Sequence, residues 1–299
     1  MKVLVTGANG FVGSYVVREL LKQRYTVFAT SLDILTGKRF DWFDFVEKRE
    51  LDLSFMPNDI YGFFGKPDLL IHLAWSGLPN YKELFHFENN LFESYFFIKK
   101  MIEGGLCHFS VIGTCLEYGM KEGCLTEDMP TVPCTSYGLA KDTLRKFIEV
   151  LAQKYSFDWK WIRLFYLYGE GHSKNSILEQ LKSEIAKGET VFPMSGGEQQ
   201  RDYLPVEKAA EYIVKISTQT KQQGIFNCCN GEPISIRSLV EEYLSKTAQV
   251  MKLDLGRYPY PDYEPMAFWG CRNKLDSIMG RKRIDMRNTK TEKLPVARK

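Results

Sequence analysis

Three glycines at the start of the chain constrain its fold more than any other feature. Lys2 to Thr6 is a short, largely apolar run that reads as a buried strand, and Thr6-Gly7-Ala8-Asn9-Gly10-Phe11-Val12-Gly13 follows at once. From Phe11 to Arg24 apolar residues recur at helical spacing: Phe11, Val12, Val16, Leu20 and Leu21. A strand that passes into a helix through GxxGxxG has a physical use for each glycine. Gly7 permits the tight turn, Gly10 lets the backbone approach a pyrophosphate, and Gly13 lets the helix pack close to the strand. The helix start then offers free N–H groups and the positive end of its dipole to phosphate.

Further strands are predicted at Tyr25 to Ala29, Lys48 to Leu53, Asp68 to Leu73, His108 to Ile112 and Trp159 to Phe165. Helices are predicted from Asn89 to Glu103, ended by Gly104-Gly105, and from Ser136 to Lys154. This alternation implies an α/β fold, a doubly wound parallel sheet. After Gly169 the strands shorten and Pro and Gly increase, which predicts a smaller C-terminal α/β domain. The expected organisation is a cofactor domain at 1–168 with returns from about 203–230, a substrate-binding domain at 169–280, and a tail at 281–299.

The net charge of +3 has an uneven source. From Arg281 to Lys299 there are eight basic and two acidic residues, so the first 280 residues carry 32 basic against 35 acidic. A mildly acidic body argues against a nucleic-acid partner. No apolar run reaches the ~20 residues of a membrane span. The seven cysteines form no CxxC pair and the four histidines show no metal-ligand spacing, so reduced thiols in a cytoplasm and no metal are expected.

Tyr137-Gly138-Leu139-Ala140-Lys141 places Tyr137 and Lys141 on one face of a helix. An ammonium there is expected to lower the phenol toward working pH. With the glycine turn, this resembles the extended short-chain dehydrogenase/reductase family, of NAD-dependent epimerase/dehydratase type. That family carries a Ser or Thr four residues before a Tyr-Gly pair, and Thr114 holds this place before Tyr118-Gly119. The resemblance makes Thr114, Tyr137 and Lys141 the catalytic set of a hydride transfer at a C–OH/C=O centre.

Other segments carry the resemblance further: Ile71-His72-Leu73-Ala74, Asn90, Asp52 with Leu53, Arg163 to Gly169, Arg201-Asp202-Tyr203-Leu204-Pro205-Val206, and Asn227 to Ile236. It implies cofactor contacts at Gly7, Asn9, Gly10, Phe11, Val12, Ser31, Asp52, Leu53, Leu73, Ala74, Asn90, Tyr137 and Lys141. It implies nucleotide-sugar contacts at Thr114, Cys115, Tyr166, Asn175, Phe192, Arg201 and Tyr258, with Arg201 on the diphosphate. The Pro-rich aromatic stretch from Tyr258 to Trp269 is expected to close over the sugar or base. Relatives dimerise through the Asn90 and Tyr137 helices, so a homodimer is expected.

Departures from the family pattern narrow the reaction. Cys115 and Leu116 stand where sugar dehydratases resemble one another in an Asp-Glu pair, and Leu116 where 3,5-epimerising synthases place a thiol. Simple hydride chemistry remains. The expectation is reduction of the 4-keto group of a dTDP-linked 6-deoxyhexose for a surface polysaccharide, with a 4-epimerase that keeps its NAD as the alternative. A catalytically silent scaffold of the same fold is the non-enzyme alternative. Ser31 lies where NAD-preferring relatives carry an acid, and Lys38 and Arg39 follow, so NADP(H) is expected over NAD(H).

Overall fold

The computed structural model describes residues 1–280, so the basic tail from Arg281 to Lys299 lies outside the described residues. The strands are β1 (Lys2–Thr6), β2 (Thr26–Ser31), β3 (Glu47–Glu50), β4 (Leu69–His72), β5 (His108–Thr114), β6 (Gly123–Leu125), β7 (Asp158–Leu164), β8 (Tyr166–Tyr168), β9 (Val191–Pro193), β10 (Gln200–Pro205), β11 (Gly224–Cys228), β12 (Pro233–Ser235), β13 (Lys252–Asp254) and β14 (Phe268–Gly270). The α-helices are α1 (Phe11–Lys22), α2 (Ile60–Phe63), α3 (Leu91–Glu103), α4 (Ser136–Leu151), α5 (Ile177–Ala186), α6 (Val206–Thr218), α7 (Ile236–Lys246) and α8 (Asn273–Met279).

Seven strands make one parallel sheet in the order β3-β2-β1-β4-β5-β7-β11. Strand order reverses between β1 and β4, and ligands of such sheets sit beyond the strand C-termini at that point. β4 is buried along its whole length, as its continuous apolar run requires when both faces are covered. One core packs Val3, Val5, Val16, Leu20, Ile213 and Phe226 between the sheet and α1 and α6. The other packs Leu4, Leu70, Phe97, Leu144 and Trp161 against α3 and α4.

The chain returns to this sheet through α6 and β11. β8, β10 and β12 form a second sheet, and β9 pairs with β13. A separate core of Leu178, Leu181, Phe192, Leu239 and Leu244 serves this part. The third strand stops at Glu50 rather than Leu53, and a π-turn at His86–Asn90 precedes α3. Among the described residues no helix is long and apolar enough to cross a membrane.

Candidate active site

The glycine turn follows β1 at the switch point. Gly7 sits at φ +67°, where an added Cβ would approach Ala74 N to 2.9 Å. A Cβ at Gly13 would meet Gly7 O at 2.1 Å, so α1 lies against the turn only because that atom is missing. No side chain caps α1 at Gly10 and no acid occupies its first turn, which leaves the first N–H groups, including those of Phe11 and Val12, without a side-chain partner. Asn9 ties the turn to the loop after β2, donating to Asp33 O at 2.6 Å, Ile34 O at 3.2 Å and Thr36 Oγ1 at 2.9 Å. Asn9 Oδ1, Thr30 Oγ1 and Ser31 Oγ are buried with no protein partner. Buried polar atoms are rarely left so, and these three lie beside the glycine turn, where a bound polar group would satisfy them.

Of the other residues expected at the cofactor, Asp52, Leu53, Leu73 and Ala74 lie on loops after β3 and β4, and Asn90 ends the π-turn before α3. Leu73 and Ala74 donate their backbone N–H groups to Thr6 Oγ1 at 3.1 and 3.2 Å. Asp52, next to Leu53, accepts from Ser54 N at 2.8 Å and so organises its own turn. Asn90 exchanges hydrogen bonds with Ser76, at 2.8 Å through Oδ1 and 3.0 Å through Nδ2.

β5 ends at Thr114, and α4 begins under the cap of Thr135, which accepts from Gly138 N at 3.0 Å. Tyr137 and Lys141 therefore stand one turn apart on a buried face, 7% and 2% exposed. The Tyr137 N–H donates to Tyr81 O at 3.0 Å, and the two rings lie 5.6 Å apart, so the loop bearing Tyr81 covers the phenol. Lys141 Nζ donates to Ile112 O at 2.9 Å.

The electrostatics correct one expectation. Burial pushes the Tyr137 phenol up, with Tyr81, Glu117 and Cys115 adding to it, while a hydrogen bond with Thr114 pulls it down. Lys141 does not lower it here, because burial has pulled Lys141 itself down to about 7. In a dry pocket the cost of charge outweighs the help of a neighbour.

The substrate-side residues divide. Phe192 and Tyr258 line a cavity of about 530 Å³ with Lys174, Gln180, Lys182 and Ser183. Asn175 lies on the loop before α5, its backbone O accepting from Gln180 Nε2 at 2.9 Å, and is not in that lining. Cys115 packs among Tyr118, Leu125, Phe165, Cys229 and Phe268, and burial pushes its thiol up. Arg201 is fully buried and its fork is already filled. It donates to Glu264 Oε2 at 3.0 and 3.3 Å, to Gln200 O at 2.8 Å and to Met266 O at 3.3 Å, with the Tyr166 ring 5.8 Å away.

Glu264 belongs to the aromatic stretch expected to close over the sugar or base, and that stretch packs against the loop bearing Tyr81 and Lys82. The Tyr263 ring lies 6.1 Å from that of Tyr81, tilted by 60°, and Asp262 accepts from Lys82 Nζ at 2.7 Å. Sequence reasoning missed Glu264, Trp75 and Tyr81. Their only signal is position: Trp75 directly follows Ala74, and Tyr81 lies on the same loop. The faces of α3 and α4 expected to dimerise leave Phe92, Phe96 and Val150 exposed.

The NAD dependent epimerase/dehydratase family matches residues 3–229. The chain belongs to that family. It is accordingly an enzyme, an oxidoreductase of an NAD-dependent family. The chain is 30% identical over 280 residues to the dTDP-6-deoxy-L-talose 4-dehydrogenase (NAD(+)) of Aggregatibacter actinomycetemcomitans, covering 91% of this chain and 100% of the relative. It is 23% identical to the dTDP-4-dehydro-6-deoxyglucose reductase of Escherichia coli, covering 80% of this chain and 79% of that one. Among solved structures of the fold, MoeE5 in complex with UDP-glucuronic acid and NAD superposes with a TM-score of 0.79 at 21% identity, covering 96% of this chain and 95% of that one. The UDP-glucuronic acid 4-epimerase of Bacillus cereus gives 0.79 at 20%, covering 94% of each.

Proposed function

We propose that this epimerase/dehydratase-family enzyme reduces the 4-keto group of a nucleotide-linked, dTDP-bearing 6-deoxyhexose, using NADPH in preference to NADH. The observation that carries the reading is the acid–base inventory at the end of β5. Thr114, Tyr137 and Lys141 stand together there, and no second pair is free to do more than hydride chemistry. Cys115 is buried with its thiol pushed up, and Glu117 is locked against Arg163 at 2.7 Å. The dTDP-6-deoxytalose dehydrogenase relative supports the substrate class. Ser31 supports NADPH: it offers a hydroxyl where an acid would repel a 2′-phosphate, and the nearby Asp33 carboxylate is engaged by Leu35 N and Thr36 N at 3.1 and 3.3 Å.

The glycine turn and the start of α1 would hold the cofactor diphosphate, and Lys141 the nicotinamide ribose. When bound, the cofactor supplies the hydride. Thr114 and Tyr137 donate to the ketone oxygen, and Tyr137 passes its proton to the alkoxide. A phenol pushed up by burial stays protonated across the working pH, which suits a proton donor. Lys141 holds positive charge beside the tyrosinate that results and, with a water chain that brings the replacement proton from solvent, restores the phenol. Tyr81 packs over the Tyr137 ring and helps hold it in place. Arg201 takes the sugar-nucleotide diphosphate once Glu264 gives way.

Purified enzyme is expected to consume NADPH only with a dTDP-linked 4-keto-6-deoxyhexose, with a higher kcat/KM for NADPH than for NADH. A stoichiometric, tightly held NAD and sugar interconversion without added reductant would replace this reading with the 4-epimerase. No turnover of dTDP- or GDP-linked 4-keto sugars would leave the silent scaffold. Glu264→Gln is expected to lower KM for the sugar nucleotide roughly fivefold with kcat little changed, since a competitor for the guanidinium is removed. A higher KM would show that Glu264 holds Arg201 ready instead of competing for it.

A further inference from the structure

Lys141 poses a problem that its neighbours do not solve in the usual way. Its side chain is buried, yet among the described residues it forms no salt bridge. Glu117, the acid whose charge reaches it, is already bridged to Arg163. Among the described residues its one hydrogen bond goes to Ile112 O. The remaining close contact is the face of Trp75, whose ring centroid lies 3.8 Å from Nζ, nearer than the Tyr137 ring at 6.0 Å. A desolvated ammonium over an indole face is among the stronger cation–π arrangements.

The indole is itself fixed. Its N–H donates to His86 Nδ1 at 3.0 Å, and the two rings stack at 6.2 Å and 20°. His86 Nε2 lies 3.0 Å from Asn80 O, so the imidazole is neutral with its proton on Nε2. The edge of Trp75 also meets the Tyr137 ring, at 5.9 Å and 69°. His86 stands in the π-turn before α3, a kind of irregularity that recurs at functional sites. An indole placed by chance would not be held at its N–H, its face and its edge.

We propose that Trp75 is a positioning residue for Lys141, its indole face taking the part of the carboxylate that a buried ammonium would otherwise require. His86 sets the indole, and the indole sets the ammonium beneath the phenol it serves. The titratable groups that bear on Lys141 are Tyr137 on its own helix, Glu117 after β5, His72 at the end of β4, and His86. His72 is buried and held neutral, its value pulled down to about 3, and His86 is pulled down by burial as well. Both imidazoles are therefore neutral and set no positive charge against Lys141, and the indole joins the Ile112 carbonyl and the more distant Glu117 charge in stabilising the ammonium.

The test follows Lys141 directly in cofactor-free protein. The lysine side chains are labelled with ¹³C at Cε, and Lys141→Met assigns the resonance. Trp75→Leu is expected to move the Lys141 titration acid-ward by roughly one pH unit, and Trp75→Phe by about half as much. An unchanged titration in folded Trp75→Leu would overturn the proposal and leave Trp75 as packing. If Trp75→Leu does not fold, wild-type protein made with 5-fluorotryptophan decides. Fluorine draws charge from the ring face at almost constant shape, so the titration must still move acid-ward. In turnover, the basic limb of kcat/KM is expected to shift with it. The resonance needs no substrate, so its failure is distinct from failure of the reductase reading, on which only this kinetic arm rests.

Discussion

Tyr137→Phe is expected to lower kcat for 4-keto reduction by roughly 10²–10⁴-fold, the range lost when a positioned general acid is removed. The substitution deletes one oxygen and no packing surface. Tyr137 is 7% exposed and its ring lies against Tyr81, Trp75 and His86, contacts that phenylalanine keeps. The glycine turn is untouched, so the dissociation constant of NADPH, read by fluorescence titration, should stay within about twofold. Full turnover in Tyr137→Phe would end the assignment. The wild-type pH profile carries the same argument. Lys141 is charged below about 7 and neutral above it. The phenol, pushed upward, does not titrate there. The kcat/KM for reduction should therefore be fullest on the acid side of that value and fall as pH rises through it. A profile rising through pH 7 would mean that neutral Lys141 is the working form.

What could be read from the sequence was what is local along the chain. The glycine turn spans eight residues, and Tyr137 and Lys141 are one helical turn apart, so spacing alone places their parts. The β-α alternation likewise gave the parallel sheet, because each strand and helix declares its own period. The boundaries slipped where a loop took over, as where β3 stops at Glu50. The electrostatics slipped for another reason. A lysine one turn from a phenol looks like a charge that acts on it, and only the packed structure shows that burial acts on both. Arg201 looks free for a diphosphate, yet Glu264 fills its fork from 63 positions away. Trp75 reaches Lys141 from the loop after β4, on the side of the sheet that α4 covers, and nothing periodic in the chain announces such a pairing.

Glu117→Ala is expected to destabilise the protein by about 3–5 kcal/mol, the cost of leaving one partner of a buried ion pair alone. Glu117 and Arg163 are 0% and 1% exposed, and Arg163 Nε donates to Glu117 Oε2 at 2.7 Å. The carboxylate also accepts from Trp161 Nε1 at 2.8 Å and from Thr114 N at 2.9 Å. Burial pushes this carboxyl up while Arg163 and those N–H groups pull it back, so its charge depends on all of them together. Arg163 Nη1 is already without a partner, and alanine at 117 would strand Nε as well. The melting temperature should fall by about 10 °C. The same carboxylate holds the backbone of Thr114, so kcat should fall in protein that remains folded. The double variant Glu117→Leu/Arg163→Met, which removes both charges, should recover much of the lost stability. It should not recover kcat, because the acceptor for Thr114 N stays missing. Urea unfolding of the wild type, Glu117→Leu, Arg163→Met and the double variant gives the coupling energy, and a value near zero would show that the two side chains act independently. If the double variant regained both stability and turnover, Glu117 would be an ion-pair partner alone, with no part in placing Thr114 beside Tyr137.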